Sequence, residues 1–132
     1  MSNEKPTILD WILRVVAAVI LIQTLRFKFT AAPESVYIFE TLGLEPYGRI
    51  GIGVVELITG ILLLIPRTAG IGGVIGMGVM AGAIFSHLTK LGIDVQGDGG
   101  LLFGTACFVF LICAIITWRA RKQIPILKNF FN

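Results

Sequence analysis

Two stretches of this sequence run too long without a charge to belong to an ordinary water-soluble domain. Thr68 to Thr89 and Gly99 to Trp118 contain no Asp, Glu, Lys or Arg, and each exceeds the roughly 18 apolar residues that read as a membrane-crossing helix. Two further stretches come close: Trp11 to Leu25 is broken only by Arg14, and Ile50 to Pro66 only by Glu56. Charged residues make up 14% of the 132 residues, against about 25% in soluble domains. The chain is therefore expected to be an all-α integral membrane protein with one domain over 1–132. Its transmembrane helices are placed at about 8–30, 46–66, 68–90 and 100–118, and its basic tail at 119–132. The turn "PRTAG" is too short for anything but an antiparallel hairpin, and the expected architecture is a four-helix antiparallel bundle.

The alternative for the first span is a cleaved signal peptide. Glu4 and Asp10 spoil the basic leader that such a peptide needs, and Pro33 follows the one small-residue candidate cleavage site at Thr30-Ala31-Ala32. An uncleaved span is expected. Basic residues then set the orientation. With four spans, Lys5, Arg14, Arg67, Arg119, Arg121, Lys122 and Lys128 share one side. Arg26, Lys28, Arg49 and Lys90 share the other, diluted by Glu34, Glu40, Glu45, Asp94 and Asp98. The positive-inside bias puts both termini in the cytoplasm. It also accounts for the net charge of +3 without nucleic acid as a partner.

Between the first two spans, "AAPESVYIFETLGLEPYG" is too polar to cross. Pro33 suits a first helical position, Gly43 suits a cap, and Val36, Phe39 and Leu42 recur at helical spacing. A short amphipathic helix on the outer surface is expected there, and the tail from Lys122 onward is expected to hug the inner surface. The third span is dense in glycine. Gly72/Gly76 and Gly78/Gly82 both form GxxxG pairs, which permit close helix approach in a membrane. They read as packing within the bundle or as a homodimer seam. Cys107 and Cys113, six residues apart on one helix, cannot form a disulfide with each other, and no CxxC suggests thiol chemistry.

Helical spacing sorts the polar residues inside the spans. Arg14 and Lys28 share a face of the first span with Trp11, Ala18, Leu21 and Leu25, while Gln23 and Arg26 lie on another. Arg49, Glu56, Gly60, Leu63 and Arg67 form a stripe on the second, and Gly73, Gly76, Met80, Ala83 and His87 on the third. An ionised Glu56 in the hydrocarbon costs roughly 2.5 kcal/mol or more on insertion scales, so it needs a partner. Arg14 and Lys28 flank its level and can bend toward it. Glu56 reads either as a buried staple between the first two spans or as a ligand or proton site. Lys28 reads as a snorkelling interfacial cation or as part of that site, and Arg14 as a partner of Asp10 or of Glu56. His87 stands alone, so neither the axial pair of a haem nor the three ligands of a catalytic zinc are available. Asp98 reads as a cap of the last helix, and Thr105 and Cys107 as core.

These residues carry a resemblance. The chain resembles the DoxX family of small four-helix membrane proteins in Arg14, in Lys28 within "LRFKFT", in the short helix before "LGLEPYGRIG", in "VELITGILLLIPR" with Glu56, and in "GAIFSHLTKLGI" followed by "DGG". The resemblance implies a four-helix up-and-down bundle in the bacterial cytoplasmic membrane. It also implies a link to membrane redox or stress-response complexes, since some relatives belong to thiosulfate:quinone oxidoreductases and more distant ones resemble assembly chaperones. It carries over Arg14, Lys28, Glu56 and His87 as positions of interest. The chain departs from the family pattern at "LIQTLRFKF", where many members have a Gly before the Lys, and it lacks a redox-active cysteine pair.

Three functions follow as expectations. The first is a non-catalytic bundle in the lipid bilayer that binds a quinone or lipid at Glu56, Lys28, Arg14, His87 and Gln23 and serves a redox or other membrane-protein partner. The second is an assembly chaperone acting through its glycine-rich third span. The third is a small transporter with Glu56 as the titrating group. No combination of nucleophile, base and orienting residue points to an enzyme.

Overall fold

The computed structural model describes residues 6–123, so the expectation for the tail from 124 onward lies outside the described residues. Among the described residues there are six α-helices and three short turns of other helical type, and no strand. The helices are α1 (Ile8–Gln23), α2 (Leu25–Phe29), α3 (Pro33–Thr41), α4 (Tyr47–Leu64), α5 (Ala69–Ser86) and α6 (Leu101–Arg119). Among the described residues, four helical stretches are long and apolar enough to cross a membrane: Ile8–Phe29, Tyr47–Leu64, Pro66–Leu91 and Leu101–Arg119.

Each helix starts and stops for local reasons. Thr7 and Asp10 close a reciprocal capping box at the start of α1, which satisfies two donors that the helix leaves without partners. The first span is not continuous. Thr24 separates α1 from α2, with its hydroxyl donating to the Leu21 carbonyl at 2.8 Å. Pro33 opens α3 in the first helical turn, where a missing N–H costs nothing. Pro66 follows α4 and directs the chain into a 3₁₀ turn at Pro66–Thr68 before α5. Beyond α5, His87–Leu91 widens into a π turn that ends at Gly92, whose φ of 79° favours glycine.

Neighbouring spans pack in a ring: α1 on α4, α4 on α5, α5 on α6, and α6 back on α1. The core between them consists of Ala17, Ala18, Leu21, Leu63, Ala69, Met80, Ala106, Val109, Ile112, Cys113 and Ile116. Between 28% and 33% of each span is buried against the others. The outward faces carry Val15, Val19, Ile58, Ile61, Phe108, Leu111 and Ile115, a belt far more apolar than a water-soluble protein exposes.

The two glycine pairs of α5 have different jobs. A Cβ on Gly72 would stand 3.0 Å from the Leu63 nitrogen, and one on Gly76 would stand 2.6 Å from Cys113 Sγ. This pair brings α5 against α4 and α6. At Gly78 and Gly82 an added Cβ meets nothing within 4 Å. Packing within the helix assembly therefore accounts for the first GxxxG pair and not for the second.

The α1–α6 ends opposite α3 are joined by charge. Arg119 pairs with the Asp10 carboxylate, which is already held by the Thr7 N–H at 2.8 Å. The sequence expectation that Asp10 pairs with Arg14 is thus replaced by a contact between the first and last spans.

Candidate functional site

At the α3 end the spans part around a cavity of about 460 Å³. α3 and Leu44 close one side with Ile38, Phe39 and Leu42, and α5 and α6 supply Val79, Met80, Ala83, Ala106 and Val109. The wall is overwhelmingly apolar. Its polar side chains are Thr24, Lys28, Glu56, Ser86, His87 and Thr105.

Glu56 and Lys28 form the ionic centre. Glu56 lies on the buried stripe of α4 with Arg49, Gly53, Thr59, Gly60 and Leu63. Its side chain is only 5% exposed, and Oε1 lies 3.0 Å from the Nζ of Lys28, whose side chain is 17% exposed. The contact is one of charge rather than an aligned hydrogen bond, since Oε1 has no partner in hydrogen-bond geometry. Lys28 can reach this level because α2 packs tightly on α4: a Cβ on Gly53 would stand 2.7 Å from the Phe29 ring. Arg49 fixes the same junction. It donates from Nε to Glu45 Oε1 at 2.7 Å and from Nη1 to the Lys28 carbonyl.

His87 completes the polar rim from the third span. It is 6% exposed and meets Phe103 edge-on at 5.6 Å. The π turn places Gly92 beneath it twice: the Gly92 N–H donates to the His87 carbonyl at 2.8 Å, and the His87 Nδ1 lies 2.9 Å from the Gly92 carbonyl. A carbonyl only accepts, so Nδ1 carries the proton. Local widening of this kind recurs at functional positions in helices.

A model of the DoxX-like family matches residues 12–95, a stretch that holds the paired Lys28 and Glu56 together with His87. The chain belongs to the DoxX-like family. No curated protein and no solved structure matches it. Family membership and the four apolar helices make this DoxX-like chain a multi-pass membrane protein.

Of the five residues singled out in this DoxX-like sequence, three meet at one cavity and two do not. Arg14 is buried at the other end of α4, where Nε donates to the Leu63 carbonyl at 2.7 Å and Nη2 to the Leu64 carbonyl at 3.2 Å. Its guanidinium also lies 4.0 Å from the centre of the Trp11 ring. The reason is general: the last carbonyls of a helix lack intrahelical partners and carry partial negative charge. Gln23 is exposed and borders a separate shallow recess with Asp98, Gly99, Gly104 and Phe108.

Sequence reasoning missed Thr24, Ser86 and Thr105 as cavity residues. Thr105, a core position on the sequence alone, faces the cavity one turn before Val109 on a stripe with Leu102 and Ala106. Gly78 and Gly82, the second glycine pair, also line the cavity. Asp98 sits outside the cavity and caps α6. Oδ2 accepts from the Leu102 N–H at 3.1 Å, and Oδ1 from Val95 at 3.0 Å and Gly100 at 2.8 Å.

Proposed function

We propose that this protein is a non-catalytic membrane subunit that binds a small apolar molecule, of the quinone or lipid class, in the cavity at the α3 end. The cavity itself carries this reading. Ligand sites are typically mostly apolar spaces of about 300–1,000 Å³ with a few convergent polar groups, and 460 Å³ walled by aliphatic side chains around Lys28, Glu56 and His87 matches that description. Ionisable groups inside a membrane are expensive to keep, which by default makes them functional candidates.

The setting proposed for it is a four-helix antiparallel bundle in the bacterial cytoplasmic membrane. The positive-inside bias puts both termini in the cytoplasm and the cavity in the outer half, with α3 lying amphipathically along the outer surface. Its proposed role is to serve a membrane redox or stress-response complex, as the resemblance implies for some relatives. Arg14 is proposed here as a structural clamp, and Gln23 as no part of the binding site.

Native mass spectrometry with extraction of bound molecules tests this on wild type, Glu56→Gln and Ala83→Phe. A stoichiometric apolar molecule on the wild type, displaced by the phenyl ring at position 83 and weakened by Glu56→Gln, is the expected result. Folded but empty protein in all three would make the Lys28–Glu56 pair a structural staple only.

A further inference from the structure

The polar groups of the cavity are not an even mixture of donors and acceptors, and the imbalance selects the ligand. The three hydroxyls donate inward to their own helices at 2.8 Å: Thr24 to the Leu21 carbonyl, Ser86 to Gly82 and Thr105 to Leu101. Each hydroxyl proton is spent, and lone pairs remain. His87 spends its Nδ1 proton on the Gly92 carbonyl, so in the neutral ring Nε2 is a bare acceptor. The Glu56 carboxylate accepts only, and it makes no hydrogen bond among the described residues beyond its charge contact with Lys28. Lys28 is the one side chain of the six whose protons are not spent on main-chain carbonyls, and its ammonium already faces Glu56.

We infer that the cavity takes an apolar ligand whose head group is a hydroxyl donor, such as the dihydroxy-aromatic form of a quinone or an alkylphenol, in preference to the corresponding carbonyl form. This deepens the binding role proposed above and rests on it. A hydroxyl can donate to the Glu56 carboxylate or to His87 Nε2, and its own oxygen can accept from Lys28. A quinone carbonyl can accept from the Lys28 ammonium, which has three N–H donors, but it brings no donor of its own and leaves both Glu56 and His87 Nε2 unsatisfied. A buried acceptor left without a donor loses its hydration for nothing in return, which is the larger part of the discrimination.

The experiment uses the protein in lipid nanodiscs under argon, with three probes of one skeleton: a decyl-hydroquinone, its quinone and its dimethyl ether. Binding is read by competition at equilibrium against empty nanodiscs. His87 is the one histidine of the chain, so ¹⁵N-histidine labelling reports its ring directly, and ¹³C-carboxyl glutamate labelling reports Glu56 through the signal that Glu56→Gln removes. The hydroquinone is expected to bind roughly tenfold tighter than the quinone or the ether, the change that about one hydrogen bond produces. It is also expected to shift the unprotonated Nε2 resonance or that of the Glu56 carboxylate carbon, and the ether is expected to leave both in place. His87→Phe should narrow the preference for hydroquinone over ether. Quinone binding as tight as hydroquinone would overturn the donor preference while leaving the binding role intact. Hydroquinone bound with neither resonance moved would overturn the roles given to His87 and Glu56. Binding of none of the three would overturn the binding role and this inference with it.

Discussion

Replacing Lys28 by Met removes the one cation that, among the described residues, faces Glu56 in the cavity, while keeping most of the side-chain volume. Unit charges 3.0 Å apart attract by about 5 kcal/mol at an effective dielectric constant of about 20, which offsets a desolvation cost of several kcal/mol for each buried ion. The two partners are not equivalent. Glu56 is 5% exposed and Lys28 17%, and the lysine lies one residue from the end of α2, where its long chain can turn toward the interface. Lys28→Met strands the carboxylate and should cost about 3–5 kcal/mol. Glu56→Gln strands a cation that can leave and should cost about 1–2 kcal/mol, near the typical cost of a lost polar contact. The double variant strands nothing and should recover most of the loss, so the coupling energy should exceed about 2 kcal/mol. Reversible unfolding of the four proteins in mixed detergent micelles, monitored by circular dichroism, measures that energy. Costs that add to within about 0.5 kcal/mol would show that the pair is not coupled and that Lys28 is an interfacial anchor whose nearness to Glu56 carries no energy.

The glycine pairs of α5 should separate in the same assay. Gly76→Ala places a Cβ 2.6 Å from the Sγ of the buried Cys113 and 3.5 Å from Thr59 Cγ2, an overpacking worth about 1–3 kcal/mol, whereas Gly82→Ala meets nothing and should be neutral or stabilising by up to about 1 kcal/mol. Arg14→Met should destabilise by about 1–3 kcal/mol by leaving the Leu63 and Leu64 carbonyls without their buried donor, and it should not change ligand occupancy, as quantitative extraction would report. Asp98→Ala should cost about 1 kcal/mol, as the loss of a helix cap does, seen as faster amide exchange at Leu102. Its carboxyl is held below the ordinary value of 3.8: burial pushes it upward, but the Gly100, Leu102 and Val95 N–H groups outweigh that. A depressed carboxyl contributes its stability above the unfolded value and loses it as pH falls through the lower folded one. Protection of this loop should therefore persist through neutral pH and fade only in acid, and the Asp98→Ala variant should lack that acid step.

Much of the site was legible because stripes survive folding. Residues three or four apart on a helix share a face whatever the helix packs against, so Lys28, Glu56 and His87 could each be assigned an inward face, and the need to neutralise Glu56 made Lys28 or Arg14 its partner. The choice between the two was not legible. Arg14 has two buried main-chain carbonyls to satisfy at the end of α4, and main-chain acceptors have no signature in side-chain sequence. Asp10 likewise gave its nearest cation as Arg14, while the folded chain brings Arg119 to it from 109 positions away.

The two GxxxG pairs show where sequence patterns stop being informative. They are alike in spacing and sit on one helix, yet Gly72 and Gly76 lie against α4 and α6 while Gly78 and Gly82 wall a cavity. What distinguishes them is the position of the neighbouring helices. α4 carries its own glycines toward α1 and α2, with Gly60 against Ile22 and Gly53 against Phe29, so its α3 end follows the first span. α5 at the same level is left facing Ile52 and Glu56 across open space. A side chain as small as hydrogen therefore serves two opposite purposes in one helix, closing the contact at one end and keeping the room open at the other. The π turn that follows completes the arrangement, because it sets the Gly92 carbonyl opposite His87 Nδ1 and so decides which ring nitrogen carries the proton in the neutral ring.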